Sequence, residues 1–310
     1  MTLTSGSAQP RLPSSAPASA EPEKTTGSLD VTFAMRNERT ILSRQHHRGA
    51  LKVIRPFYLS DDAAAAEATL TVLNPGGGYV GGDVYRQHIT LQAGAKAVVT
   101  TQSATRVYRT PHSEVTQDTE LVVEDDAVLT YVPDELIGYA DARYVQRTRA
   151  QLAKTATLFA KDVVTPGWAP DGRLFQYRKL HTIFDVVGMP TSEHHRGKLL
   201  ARDNLFLAPE RFGISPEHTV LAETFTHVGS LLIVSPYVDT ETVDAIRDVL
   251  AAHESKHLHL RTGVSRMPIN GVLIRALGVN TAVIDGAIGA VIDQLRADWF
   301  GWGPLPRRKY

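Results

Sequence analysis

The sequence predicts a mainly β fold of stacked strands, β-helix-like, with about two helices in the C-terminal third. Three observations carry that expectation. From Leu29 to about Leu180, runs rich in β-branched and aromatic residues alternate with short turn-like pieces. Within that region Val115, Gln117, Thr119, Leu121, Val123, Ala127 and Leu129 align with Tyr144, Gln146, Thr148, Ala150, Leu152, Ala156 and Leu158, at an offset of 29 residues. Two readings fit this alignment: stacked β-coils that bury an inward row on the next layer, or two amphipathic strands matched by alternation alone. Late in the chain the apolar period becomes helical twice, without the alternating rhythm of a nucleotide-binding sheet.

The elements follow in order. Residues 1–28 are rich in Ala, Pro and Ser and hold almost no large apolar side chains, so they cannot offset the entropy of ordering. They are expected to form a disordered tail ahead of a single β-rich domain over residues 29–310. Ala68 to Leu73 and Val84 to Leu91 read as strands on either side of a glycine cluster. Lys96 to Tyr108, Val115 to Val123, Ala127 to Val132 and Tyr144 to Phe159 continue the pattern, interrupted at Ala93-Gly94, Glu124-Asp125-Asp126 and Pro133-Asp134. Leu231 to Val234 is a short apolar run that ends at Pro236. Glu241 to Ala252 sets Val243, Ile246, Val249 and Leu250 on one helical face, with Asp239 or Thr240 as cap. Leu258 to Val264 and Gly271 to Leu277 read as strands. Thr281 to Phe300 spaces Ile284, Ile288, Val291 and Leu295 as a helix behind Asn280.

Composition removes several function classes. The 310 residues include no cysteine, so disulfides, thiolate metal sites and cysteine nucleophiles are excluded. Lys and Arg together number 33, as do Asp and Glu, which argues against a nucleic-acid binder. No signal-peptide pattern opens the chain and no run approaches the roughly 18 apolar residues that span a bilayer. The expected address is the cytoplasm.

The most conspicuous motif is Asn74 to Asp83, NPGGGYVGGD. Gly76, Gly78 and Gly81 formally match G-x-G-x-x-G, but a strand-like run follows where a dinucleotide site needs a helix. Gly76, Gly77, Gly78, Gly81 and Gly82 read instead as a wide turn with positive φ at several positions. Histidines fall in three groups, His46-His47, His194-His195 and His253/His257/His259, without a closed chelating pattern. Asp83, His227 and Ser230 can be assembled into a triad on paper only.

Asn74 to Asp83, Thr100 to Arg109, Gly49 to Tyr58 and Tyr131 to Ile137 are four segments that resemble the urease accessory protein UreD (UreH) family. Asn74 to Asp83 is similar to that family's HPPGGLVGGD, and Thr100 to Arg109 (TTQSATRVYR) to its TTQAATKVYR. Gly49 to Tyr58 (GALKVIRPFY) resembles GPLRVQRPFY, and Tyr131 to Ile137 (YVPDELI) resembles YLPQETI. Asp162 to Trp168, Asp203-Asn204-Leu205, Thr226 to Ser230 and the terminal Arg307-Arg308-Lys309-Tyr310 continue the likeness in order. Departures are Asn74 where the family usually has His, Gly76 where it often has Pro, and a stretch from Val187 to Lys198 that reads as a local insertion.

The resemblance implies an elongated, largely β scaffold that is not an enzyme. It implies binding to urease apoprotein and to UreF, with UreG joining through UreF, and delivery of nickel to the urease active site. A conduit must bind weakly enough to release, so transient Ni2+ is expected, with no tightly bound cofactor and no tight metal site. On the segments that match best, Asp83, Thr105 and Asp203 are the nickel-passage candidates. Trp299, Phe300 and Trp302 are candidates for a partner surface or for closing the core. Two competing hypotheses are a hydrolase or transferase on a β-helical scaffold, and a nickel store built on the histidines.

Overall fold

The computed structural model describes residues 25–59, 67–212 and 225–305. Two sheets face each other. The first runs in the order β14 (Leu199–Leu207), β13 (Lys179–Gly188), β11 (Arg143–Leu152), β8 (Val115–Val123), β5 (Val84–Leu91), β1 (Gly27–Arg36) and β2 (Arg39–Gly49). The second runs β16 (Leu260–Arg266), β17 (Gly271–Gly278), β15 (His227–Val234), β12 (Thr157–Val164), β9 (Val128–Val132), β6 (Lys96–Thr101), β4 (Ala68–Leu73) and β3 (Lys52–Val53). Short strands β7 (Thr105–Val107) and β10 (Leu136–Gly138) pair with each other, and β10 also meets β12.

The centre of both sheets is parallel, which follows from coiling. Each turn of chain places one strand in the first sheet and the next in the second: β5 then β6, β8 then β9, β11 then β12. The repeat seen in the sequence is the register of two such coils. Val115, Gln117, Thr119, Leu121 and Val123 are the pairing partners of Tyr144, Gln146, Thr148, Ala150 and Leu152. Leu129 likewise pairs Leu158, and Thr157 N–H donates to the Ala127 carbonyl at 2.9 Å. The stacked-coil reading therefore holds, and each inward row rests on the equivalent row of the next layer.

The corners stack as well. Gly94 N–H donates to the Asp125 carbonyl at 2.9 Å. Asp126 N–H donates to Thr155 Oγ1 at 2.9 Å, and that hydroxyl donates to Asp125 Oδ1 at 3.1 Å. Corners of the coil split two runs that the sequence reads as continuous. Tyr144 to Phe159 divides at residues 153–156, and Lys96 to Tyr108 divides at residues 102–104. Antiparallel strands close the stack, with β2 and β14 at the edges of the first sheet and β16, β17 and β15 at one end of the second.

Helices α1 (Thr240–Glu254) and α2 (Thr281–Phe300) cover the outer face of the second sheet. Asp239 Oδ1 accepts from Thr242 N–H at 2.8 Å and Asn280 Oδ1 from Val283 N–H at 3.0 Å, the caps that the sequence marks. β12 and β15 are thus buried on both faces: Leu158, Ala160 and Leu232 face the inter-sheet core, while Phe159, Leu231 and Ile233 face the helices. That explains the unbroken apolar run at Leu231 to Val234. Trp302 is buried in the helix-side core and stacks on Phe300 at 4.4 Å, and Trp299 stacks on Phe159 at 5.7 Å. These aromatics close a core.

The expected tail boundary needs correction. β1 starts at Gly27, inside the segment assigned to the tail, and Thr26 N–H donates to the Val84 carbonyl at 2.8 Å. Residues 1–24 lie outside the described residues. The Val187 to Lys198 stretch forms the β13–β14 connection, so His194-His195 sits on a hairpin loop.

Candidate functional site

The space between the two sheets is not uniformly apolar. Tyr85, Gln117, Gln146 and Thr182 form one inward row across the first sheet, and Gln87, Thr119 and Thr148 form the next. Gln87, Gln117, Thr119, Thr148 and Thr182 are all buried. Buried polar groups need partners, and the aromatic residues supply some. Tyr79 O–H donates to Gln117 Oε1 at 2.8 Å, and Tyr144 O–H donates to Gln146 Oε1 at 3.1 Å. The Tyr79 ring stacks on Tyr85 with centroids 3.8 Å apart.

Two small cavities run through this polar layer. The first, about 50 Å³, reaches from Asn74, Gly78 and Thr105 inward past Gln117 and Tyr131 to Gln146 and Asp162. The second, about 10 Å³, begins at the same Gln146 and Asp162 and ends at Asp203 and Ser230. A cavity of roughly 10–15 Å³ admits one water. The two share Gln146 and Asp162 in their walls, and so mark a narrow, partly polar track between the sheets with Asp162 between them.

Asp162 is the group that sequence reading missed as a candidate. Burial raises its carboxyl from 3.8 to about 6, opposed by the Thr182 hydroxyl bonded to it, with the Asp203 charge raising it further and Arg275 and Lys161 lowering it. Above about pH 6 the track therefore holds a carboxylate at its centre. Tyr131 is pushed by burial to about 12, so it stays a neutral phenol. A signal for Asp162 exists in the sequence. Leu158, Ala160, Asp162 and Val164 share one parity on β12, and a charge on an otherwise apolar inward row is the anomaly.

The three expected residues are placed differently. Thr105 lines the outer cavity, on β7. Asp203 lines the inner one, but its carboxylate is paired with the Arg275 guanidinium, which also donates to the Ser230 hydroxyl. Asp83 lines neither cavity. Its Oδ1 accepts from the Thr26 hydroxyl at 3.0 Å, and its Oδ2 from Val80 N–H at 2.9 Å and the Tyr85 hydroxyl at 3.0 Å. It caps the glycine turn and, through Tyr85, holds the Tyr79 ring at the cavity wall. Among the turn glycines only Gly77 and Gly82 have positive φ, +75° and +87°. Gly78 is needed for close approach, because a Cβ there would lie 2.5 Å from the Tyr108 ring.

Among the described residues no group of three His, Asp or Glu side chains is placed to hold a metal ion. His257 lies beyond the end of α1, so it does not share a helical face with His253. The paper triad is not assembled: Asp83 caps its turn, His227 Nδ1 is 2.8 Å from the Thr226 hydroxyl, and Ser230 serves Arg275. No helix among the described residues is long and apolar enough to cross a membrane.

Comparison with known proteins bears on this arrangement. The family model described as UreD urease accessory protein matches residues 25–310. A urease accessory protein UreD of Actinomyces naeslundii is 38% identical over 286 residues, covering 92% of this chain and 99% of the relative. One from Bacillus sp. (strain TB-90) is 34% identical, covering 93% of this chain and 100% of the relative. One from Corynebacterium glutamicum (strain R) is 37% identical, covering 86% and 90%. These relatives carry the name of accessory proteins and not of catalysts.

Proposed function

Because the chain belongs to the UreD urease accessory protein family, we propose that it acts in the cytoplasm as a non-catalytic scaffold that conducts Ni2+ to urease. It does so bound to urease apoprotein and to UreF, with UreG joining through UreF. The observation that carries the reading is the track between the sheets, open beside Thr105 and carrying Asp162 at its middle.

The chemistry of the lining suits transit over storage. Its donors are amide, hydroxyl and phenol oxygens with three carboxylates: Asp134 in the outer cavity, which accepts from the Thr101 hydroxyl at 3.1 Å, Asp162, which both cavities share, and Asp203, which is paired with Arg275. Divalent nickel accepts such oxygen ligands and water, but it binds a set lacking imidazole and thiolate weakly. Carboxylates inside a low-dielectric wall attract a cation, and because no three of them among the described residues are placed to hold one ion, release stays fast. No tightly bound cofactor is part of this reading.

Reconstitution tests it. Apo-urease, UreF, UreG, GTP, bicarbonate and limiting nickel are mixed with and without this chain. Urease activity is expected only with the chain present. Equal activity without it, in a mixture that a second UreD does activate, would remove the scaffold role.

A further inference from the structure

The outer face of the first sheet carries a second feature, unrelated to the track. Its outward rows are ladders of charge. Asp30, His88, Glu120, Arg149, Asp185 and Arg202 stand in register on six adjacent strands. Strands are spaced about 4.8 Å apart, so an ordered ladder would pair each charge with its neighbour. This one does not. Arg202 takes both oxygens of Asp185, at 2.6 and 2.8 Å, and Glu120 is taken by the Gln151 amide. Arg149 stands between two acids that are both engaged elsewhere, and its Nη2 is shielded from water with no hydrogen-bond partner. Guanidinium donors without acceptors are rare and costly.

The β13–β14 hairpin folds along this face and turns it into a groove of about 830 Å³. Pro190, His195 and Arg196 of the hairpin form part of its lining. Five arginines line the groove against three carboxylates, a local surplus of two positive charges on a chain whose formal net charge is zero. The three carboxylates are all engaged: Asp118 lies 3.6 Å from Arg147, and Glu120 and Asp185 are bound as above. Arg149 and the exposed Arg196 are left to meet a ligand.

We propose that this groove docks an acidic segment of a partner protein, with partner carboxylates meeting Arg196 and the groove-lining side of Arg149. Charge complementarity selects the occupant. The groove is too large for a single inorganic anion to fill. A nucleic-acid backbone would carry a phosphate against Asp118, Glu120 or Asp185 wherever it lay, whereas a peptide can place carboxylates at Arg149 and Arg196 and leave neutral side chains between. The proposal does not depend on the track or on nickel.

The test is fluorescence anisotropy on the full chain at low salt, with a fluorescein-labelled dodecapeptide alternating glutamate and serine. Saturable binding is expected, weakened about tenfold or more by Arg149→Glu with Arg196→Glu. The single Arg196→Glu change, on an exposed loop, is expected to weaken it about threefold, and it keeps the test decisive should the buried-edge variant fail to fold. Lack of saturable binding, or equal affinity in wild type and the Arg196→Glu variant, overturns the proposal. So does displacement of the peptide by inorganic phosphate or oligothymidylate at concentrations matching the unlabelled peptide.

Discussion

Asp162→Asn is expected to stabilise the folded chain at about pH 8 and to abolish its support of urease activation. The sign follows from linkage. The Asp162 carboxyl is raised by burial from 3.8 to about 6, so the folded state holds this proton more tightly than the unfolded state. The associated stability is fully present below about pH 4 and is lost as pH rises through about 6. Above that the fold carries a charge in the cavity wall that the Thr182 hydroxyl, Arg275 and Lys161 offset in part. Asparagine keeps the shape and removes the charge. The gain at about pH 8 should be about 1–3 kcal/mol, and near pH 4 little should change. Chemical denaturation at the two pH values measures it. A substitution that stabilises the fold and removes its activity would mark Asp162 as kept for function. Stability unchanged between the two pH values would contradict the assignment.

Glu67→Ala is expected to destabilise the chain by about 3–5 kcal/mol. Glu67, at the entrance to β4, receives both Arg296 Nη atoms from α2, at 2.8 and 2.9 Å. Both side chains are almost fully buried, at 8% and 5% exposure, and the Trp302 ring lies 5.0 Å from the guanidinium. The pair joins residues 229 positions apart and fixes the last helix to the start of the second sheet. Removing the carboxylate strands a cation in the helix-side core, whose Nε already has no partner. The double change Glu67→Leu with Arg296→Met should recover most of the loss, because the desolvation of both charges disappears with them. Thermal or denaturant unfolding of the single and double variants checks the cycle. Equal losses in the two would mean that packing, and not the stranded charge, dominates.

The sequence made the coils legible because stacking forces a register. Gln117 over Gln146 and Thr119 over Thr148 are repeated polar residues on an inward row, and they pair in the sheet as they align in the text. Both helices were legible because Asp239 and Asn280 cap them. β13 and β14 carried less signal, since β14 is an edge strand with little of it buried and its inward Asp203 breaks the apolar alternation. Of the three residues named from the sequence, Thr105 lines the outer cavity and Asp203 the inner one. Thr105 sits on a segment that resembles the family, whereas Asp83 is spent on Thr26, Val80 and Tyr85. The anomaly at Asp162 shows only once the inward row of β12 is known, because β12 is buried on both faces and its sequence does not alternate. The free Arg149 depends on which acids its neighbours capture, and no linear pattern encodes that choice.

The most direct test of the conduit uses the absence of cysteine from this chain. Thr105→Cys places one thiol at the mouth of the track, where a benzyl methanethiosulfonate can cap it before the partners are added. Urease activity and bound nickel are then measured in the reconstituted mixture. The account predicts that the unmodified variant supports activation, that the capped variant assembles with its partners but delivers little nickel, and that a reductant restores delivery. Full activation by the capped, assembled chain would contradict passage of nickel between the two sheets.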